Sequence, residues 1–285
     1  MDTAKLIAML NRDIADEHAA TVRYLIHSYL EGEDTPLGAS LLSRSREEMW
    51  HMHWLGMVIG HLGGEPNMEP AEYPYDPTSR ATILESYIKY EEELVPHYQA
   101  EAEKVDDPHI KRVLEREAWE SSYHAQKFRQ KLKKLSPEEA NSTAEGEKEL
   151  SSSLLDQLQA EVNAKYNEML LHVRHAWVFQ QNGLLSWEIM TQSMEKMKQL
   201  AHLAEDVAEN GSMPDFTMKQ LDTASDLRSS LTSAASLVRE ARERHAGLAQ
   251  NSELQGHSGL ATNLDLTIRQ EKYQADEIET WLQGL

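Results

Sequence analysis

Long amphipathic periodicity constrains the fold of this chain more than any other feature of its sequence. Apolar residues recur at intervals of three and four over long stretches, which is the pattern of helices that bury one face. Glycine and proline are sparse, at 13 and 9 in 285 residues, so few positions force a turn. The sequence therefore predicts an all-α fold, and its length suits two domains of ordinary size.

The predicted helices fall into two sets separated by a polar segment. The first set covers residues 2–31, 37–62, 79–105 and 109–135. The second set covers residues 150–181, 184–209, 217–249 and 259–283. We therefore predict one four-helix bundle over residues 1–135, a linker over 136–149 and a second bundle over 150–285.

The turns between the first four predicted helices follow a short, long, short pattern. The first helix ends near Gly32 and the second ends at Gly63-Gly64. The segment that follows cannot be helical, because it carries Pro66, Pro70, Pro74 and Pro77. Before the fourth helix lies the tight turn Asp106–Pro108, where Asp107 is placed to cap that helix. This connectivity is typical of bundles with a single long crossover.

Charge and cysteine content limit the classes of function. The net charge of −20 opposes binding to nucleic acid, and it either attracts cations or only maintains solubility. The absence of cysteine excludes disulfides, zinc ribbons and thiol nucleophiles, so any metal is held by His, Asp or Glu, which favours iron, manganese or zinc. Residues 1–5 lack the apolar core of a signal peptide, and no apolar run approaches about 18 residues. We therefore expect a cytoplasmic protein without a membrane partner.

Acidic and histidine side chains recur at ordered positions in the first four helices. Residues three or four apart on a helix point the same way, so Glu48 and His51 can enter one core together. A carboxylate from each of two helices, with a Glu-x-x-His pair from each of the other two, builds a dinuclear metal site. The remaining helices offer Glu17, the run Glu91–Glu93, and His124 with Glu120 one turn before it.

The first half resembles the bacterioferritin and rubrerythrin branch of the ferritin-like superfamily. The residues that carry the resemblance are Glu17, Tyr24–His27, Glu48–His51, Leu62–Pro66 and His124-Ala125. The resemblance covers most of residues 1–135 and, more faintly, residues 150–285, and it implies two tandem ferritin-like four-helix bundles. It also implies a set of metal ligands, namely Glu17, Glu48, His51, Glu91 and His124. Glu91 is preferred to its neighbours because members of this family place an aromatic residue or a leucine two turns after the ligand, and this chain has Tyr98 there.

Ser121 departs from the family pattern, which places a glutamate three residues before the histidine of the fourth helix. Glu120 is the nearest substitute for that ligand. The cysteine-ligated iron module of rubrerythrins is excluded, so electrons for redox chemistry would come from substrate iron or an external donor. We expect Tyr24 to pack in the core or to hydrogen-bond a ligand carboxylate. We expect three other histidines to lie at the surface or outside the ligand set, namely His53, His61 and His97.

The second half repeats short segments of the first without the ligands. Ser45–His51 aligns with Ser193–Gln199, and Ser121–Ala125 aligns with Glu271–Ala275. This alignment puts Lys196 and Gln199 in place of Glu48 and His51, and Gln274 in place of His124. Of the acids, Glu271 and Glu161 remain. Because a buried lysine repels a cation, we predict no metal in the second bundle, which would serve as the partner in an internal pseudo-dimer. A homo-oligomer of the whole chain is a further prediction.

Two methionines raise the question of haem. In bacterioferritins, the methionine after the glutamate of the second helix ligates haem b across a two-fold interface, and Met49 and Met197 take that position in the two halves. The alternative is that both methionines fill gaps at helix interfaces.

The sequence favours a ferritin-like metal-binding protein with a di-iron ferroxidase centre, or iron and peroxide handling, in the first bundle. One alternative is a di-iron oxidase or oxygenase that acts on an organic substrate. Another is a non-enzymatic scaffold whose metal site has decayed.

Overall fold

The computed structural model of the chain describes residues 1–144, 146, 149–221, 223–224 and 226–285. It divides into two compact units, Met1–Glu145 and Gly146–Leu285, called unit 1 and unit 2 below. Every regular element in the described ranges is a helix, which confirms the all-α prediction. Among these residues, no helix combines the length and the apolar character needed to cross a membrane.

The described residues of unit 1 form four long helices and one short helix. They are α1 (Thr3–Glu31), α2 (Pro36–His61), α3 (Arg80–Ala102), α4 (Pro108–Leu132) and α5 (Pro137–Ala140). Helices α1 and α2 pack as one antiparallel pair, helices α3 and α4 pack as another, and α2 also contacts α4. The core therefore lies between two helical hairpins, as in a four-helix bundle.

Side-chain caps start the helices of unit 1 where the sequence predicts them. Asp107 accepts hydrogen bonds from the backbone N–H groups of His109 and Ile110 at the start of α4, which confirms the predicted cap. Thr35 caps α2 by accepting from the N–H of Gly38 at 2.9 Å. A Cβ atom on Gly38 would lie 2.0 Å from the carbonyl oxygen of Gly32, so the turn between α1 and α2 packs directly on this position.

The segment between α2 and α3 is the long crossover expected from its prolines. It contains no helix, and the N–H of Ala71 donates to the carbonyl oxygen of Ala15 in α1 at 2.9 Å. Tyr73 from this segment packs against Tyr24 and Tyr87 in a buried aromatic cluster. The crossover therefore closes the core beside the middle of α1.

In the part of unit 2 that the structure describes there are four long helices and two short 3-10 turns. They are α6 (Ser152–Val178), α7 (Leu184–Glu209), α8 (Leu227–Leu248) and α9 (Ser258–Gly284), with 3-10 turns at Gln180–Asn182 and Ser252–Gly256. Helix α6 packs on α7, and α8 packs on α9.

The predicted helix over residues 217–249 is wrong at its start, because α8 begins at Leu227. Residues 217–221 instead run along α6. Asn163 and Asn167 donate to the carbonyl oxygen of Thr217 at 2.7 and 3.0 Å, and the N–H of Lys219 donates to Asn167 at 2.6 Å. These tertiary hydrogen bonds satisfy the backbone in a non-helical form, which overrides the local helical pattern.

Candidate metal centre

Carboxylates and imidazoles from four helices converge in the middle of unit 1. The structure brings together five residues that the sequence predicted as ligands, each at most 2% exposed: Glu17, Glu48, His51, Glu91 and His124. Helix α1 supplies Glu17, α2 supplies Glu48 and His51, α3 supplies Glu91, and α4 supplies His124. Each helix thus contributes at least one donor atom to a common interior.

Glu48 lies at the centre of this cluster. Its Oε2 atom is 2.8 Å from Nδ1 of His51, and its Oε1 atom is 2.7 Å from Nδ1 of His124. Glu17 lies 3.0 Å from Nδ1 of His51, and Glu91 lies 3.3 Å from Nδ1 of His124. The result is two groups with metal-ligand spacing, Glu17–Glu48–His51 and Glu48–Glu91–His124, which share Glu48. Within each group the three donor atoms lie within 4.8 Å of one another.

The outer nitrogens of both imidazoles face other carboxylates. Nε2 of His51 lies 2.7 Å from Glu120, and Nε2 of His124 lies 2.6 Å from Glu47. Glu120, expected as a substitute ligand, therefore lies on the opposite side of the His51 ring from Glu17, where it also accepts from Arg116. A carboxylate at Nε2 holds a proton there, which leaves Nδ1 to face the cluster.

Two buried tyrosines hold carboxylates of the cluster in place. The hydroxyl of Tyr24 donates to Oε1 of Glu91 at 2.7 Å, and the hydroxyl of Tyr98 donates to Oε1 of Glu17. Tyr24 also packs within the aromatic cluster, so both roles expected for it are present. The bond from Tyr98 fixes Oε1 of Glu17 and leaves Oε2 facing His51, whereas Oε1 of Glu91 faces both Tyr24 and His124 and its Oε2 atom has no hydrogen-bond partner among the described residues.

Glu117 of α4 is a candidate residue that the sequence analysis missed. It is fully buried, and neither carboxylate oxygen has a hydrogen-bond partner among the described residues. Burial, reinforced by the nearby Glu17, raises the pKa of Glu117 well above its usual range. The signal that could have found it is its position seven residues before His124, because residues seven apart share a helix face. Ser121 lies between them and is also buried.

The electrostatics of the cluster favour added positive charge. Four buried carboxylates face two imidazoles, and burial raises the pKa of Glu17 to about 7. Burial alone would lower the pKa of His51 and His124, but the surrounding carboxylates raise both well above the usual value. An unpaired buried carboxylate is costly unless a cation or proton compensates it. The unpartnered oxygens of Glu117 and Glu91 are therefore consistent with a set of donors for hard divalent cations.

The matching interior of unit 2 contains lysines instead. The register that places Ser45 on Ser193 also places Glu17 on Lys165 and Glu48 on Lys196. Nζ of Lys196 lies 2.7 Å from Oε1 of Glu168, and Nζ of Lys165 lies 2.7 Å from its Oε2. The two ammonium groups thus share one carboxylate in the core of unit 2.

Glu271 and Glu161, the two acids that the alignment retains in unit 2, are also paired. Glu271 lies 2.7 Å from Nζ of Lys165 and 2.9 Å from Nδ1 of His245, while Glu161 accepts from Nε of Arg244 at 2.9 Å. Positive side chains therefore neutralise these carboxylates. Within the ranges that the structure describes, the three carboxylate–histidine groups with metal-ligand spacing all lie in unit 1.

Met49 and Met197 are half-buried in the middle of α2 and α7. Haem b binding at these methionines remains a prediction.

Residues 7–137 match the family model of the ferritin-like domain. The match spans α1 to α4, and it supports placing unit 1 in the ferritin-like superfamily. Together, the domain and its carboxylate–histidine groups support a ferritin-like metal-binding protein. No curated protein and no solved structure matches the chain. Membership of the bacterioferritin and rubrerythrin branch, and a ferritin-like assignment for unit 2, remain predictions.

Proposed function

We propose that unit 1 binds two iron ions at its buried centre and acts as a ferroxidase, oxidising Fe(II) to Fe(III). The observation that carries this proposal is the sharing of Glu48 between two groups that each contain a histidine. A shared carboxylate holds two cations at short separation, and such pairs occur in the cores of ferritin-like bundles. The buried negative charge is tolerated because the cations offset it.

Each side chain has a defined role in this proposal. Glu17 and His51 hold one ion, Glu91 and His124 hold the other, and Glu48 bridges them. Tyr24 and Tyr98 hold the carboxylates of Glu91 and Glu17, and Glu120 and Glu47 orient the two imidazoles. Glu117 lies outside both ligand groups, but it is buried on α4 with neither oxygen partnered among the described residues, and it would supply the additional carboxylate in place of Ser121.

Iron is the substrate of the proposed reaction. Each Fe(II) gives up one electron, so two irons reduce one dioxygen to hydrogen peroxide with two protons, or one peroxide to two waters with two protons. The protein contributes oxygen-rich ligands, which favour the Fe(III) product, and a paired geometry that delivers both electrons to one oxidant. Manganese and zinc suit the same donors and are the alternative metals.

Oxygenation of an organic substrate is the first alternative to iron oxidation. An oxygenase needs an apolar pocket beside its metal ions. A cavity of about 520 Å³ in unit 1 is lined by residues from the α1–α2 turn, the start of α3 and the end of α4, including Leu37, Arg80 and Lys131. None of its lining residues belongs to the candidate centre. This cavity therefore gives no support to the oxygenase alternative.

A decayed scaffold is the second alternative, and the buried Ser121 is the feature that favours it. Against it stand the carboxylates of Glu17, Glu48, Glu91 and Glu117, since a core without metal gains stability by losing them.

Metal analysis of the purified chain beside a matched pair of variants tests the proposal. We expect two iron ions per chain after anaerobic loading, and oxidation of that iron without an organic substrate. The Glu48→Gln variant should lose the bound iron and the oxidation activity. The Glu93→Gln variant should keep the bound iron and the activity, because Glu93 is an exposed glutamate on α3. An iron-free parent, or a Glu48→Gln variant that loads and oxidises iron like the parent, would overturn the proposal.

For unit 2 we propose a structural role, in which it replaces the second subunit of a dimer. A homo-oligomer of the whole chain and a cytoplasmic location also stay predictions.

A further inference from the structure

A second cluster of potential ligands lies on unit 1, outside the candidate centre. Asp13 of α1 and Glu101 of α3 are at most 3% exposed, whereas the side chain of His97 is 37% exposed. Nε2 of His97 lies 3.1 Å from Oδ1 of Asp13 and 3.7 Å from Oε2 of Glu101. One donor atom from each residue lies within 4.8 Å of the others, which is the spacing of a metal-binding triad.

We propose that Asp13, His97 and Glu101 form a third divalent-cation site, which takes up ions from solvent and supplies the buried centre. Two carboxylates and one imidazole suit Fe(II), Mn(II) or Zn(II). His97 opens the site to solvent, and the two buried carboxylates form its floor.

The first support is that the two carboxyl groups lie close together in the interior, with one oxygen of each within 4.8 Å of the other. Two carboxylates cannot approach each other without a proton or a cation between them. Oδ2 of Asp13 and Oε2 of Glu101 have no hydrogen-bond partner among the described residues. Arg12 lies 3.4 Å from Oε1 of Glu101 and offsets one negative charge, which leaves the other to His97 or to a bound cation.

The second support comes from Glu117, which belongs to another helix. This fully buried side chain has two unpartnered oxygens and interacts electrostatically with both Asp13 and Glu17. Asp13 and Glu17 are four residues apart on α1, so one helical turn of about 6 Å separates the two sites along the axis. The proposal therefore assigns Glu117, a buried acid without a hydrogen-bond partner among the described residues, to an ion that moves between the outer site and the centre.

The third support is the arrangement at the matching positions of unit 2. Buried positions of α3 fall on buried positions of α8 when Leu84 is placed on Leu231, and this register places His97 on Arg244. The register of α1 on α6 places Asp13 on Glu161. These two positions form an ion pair at 2.9 Å, so a guanidinium provides in unit 2 the positive charge that we assign to a cation in unit 1.

The same register places Glu101 on Leu248, so unit 2 lacks the second carboxylate as well. Unit 2 therefore has no second acid to repel Glu161, and it carries the positive charge of Arg244 as part of the chain. Relative to unit 1, unit 2 thus has a cationic side chain more and a carboxylate fewer. This difference is expected if the three positions of unit 1 bind a mobile cation.

The test compares Zn(II) binding by the metal-free chain and a variant that copies unit 2. His97→Arg with Glu101→Leu reproduces the Arg244 and Leu248 arrangement and avoids an uncompensated buried charge. Equilibrium dialysis should show one Zn(II) fewer per chain than in the parent. His61→Arg, at an exposed histidine on α2, is the matched control and should bind as many ions as the parent. Equal binding by the double variant and the parent would overturn the third site.

The role in supply rests on the proposed function of the centre, and it has its own measurement. The double variant should fill the two inner positions more slowly than the parent, followed as loss of Zn(II) from a colorimetric indicator. An unchanged rate with one ion fewer would retain the site and overturn its role in supply. Glu48→Gln separates the two proposals, because it should lose inner ions and keep the outer one. If Glu48→Gln loses no ions but the double variant loses one, the centre fails and the outer site stands.

Discussion

Nζ of Lys196 lies 2.7 Å from Oε1 of Glu168, and both side chains are buried in the core of unit 2. Glu168 also meets Lys165, and the two lysines lower the pKa of Glu168 despite the opposing effect of burial. Lys165 in turn meets Glu271. The four charges therefore balance: two ammonium groups face two carboxylates, where unit 1 has an excess of carboxylates.

Removing one of these lysines should destabilise unit 2 strongly. Lys196→Met leaves two buried carboxylates with a single ammonium partner, and loss of one member of a buried ion pair costs about 3–5 kcal/mol. The urea midpoint of the unit 2 transition should fall accordingly. Lys198→Met, at an exposed position two residues along α7, should change it little. Similar midpoints for the two variants would show that the network contributes little to stability.

Glu117 should behave in opposite ways with and without metal. Glu117→Met removes a buried carboxylate that has no hydrogen-bond partner, which should stabilise metal-free unit 1 by about 1–3 kcal/mol. The same change should weaken metal binding, because a donor is lost. Thermal unfolding in chelator and in excess Zn(II) measures both effects. A variant less stable than the parent in chelator would mean that Glu117 has a stabilising partner in solution.

Tyr98 should tune the affinity of the centre without touching an ion. Tyr98→Phe removes the hydroxyl that donates to Glu17, and groups that orient metal ligands typically contribute 10-fold or more to affinity. Competition with a chelator of known affinity should therefore report a loss of about 10-fold. Tyr273→Phe removes a hydroxyl from an exposed tyrosine of unit 2 and should leave the affinity unchanged. Equal affinities would exclude an orienting role for Tyr98.

The stabilisation that metal gives to unit 1 should increase with pH. Burial raises the pKa of Glu17 to about 7 from its ordinary value of 4.5. Between these values the folded, metal-free unit keeps a proton that the unfolded chain has lost, so the contribution of Glu17 to stability falls as pH rises through this window.

A cation competes for the same carboxylate, and its binding releases the proton. The increase in melting temperature on adding Zn(II) should therefore be smaller at a pH of about 5.5 than at about 7.5. Measuring each temperature with and without metal cancels the titration of groups remote from the site. A larger increase at the acidic pH would contradict the assigned role of Glu17.

Helical periodicity and the resemblance together predicted the features that depend on position within one helix. Glu48 and His51 share a face of α2, and their convergence with Glu17, Glu91 and His124 followed from the four-helix arrangement. Glu117 was missed because the family pattern directs attention to the position of Ser121, three residues before His124. Glu120 is close to that position in sequence, but its bearing on α4 takes it to the outer nitrogen of His51.

Other features depend on contacts between helices, which a single sequence does not specify. The pairing of Asp13 with His97 and Glu101 requires the register of α1 against α3. In unit 2, Lys196 was recognised as incompatible with a cation, but its partner Glu168 has no counterpart among the expected ligands. The start of α8 was misplaced because hydrogen bonds from Asn163 hold the preceding backbone.

If the proposed centre binds metal, the lysine pair of unit 2 limits the effect of metal supply to unit 1. Newly made protein without metal would still complete the core of unit 2, because Lys165 and Lys196 are part of the polypeptide. Unit 1 would keep its buried carboxylates without a compensating cation until it binds ions. Until then it would be more susceptible to proteolysis than unit 2. The rate at which the whole chain is degraded would then depend on the supply of metal, whereas the stability of unit 2 would not.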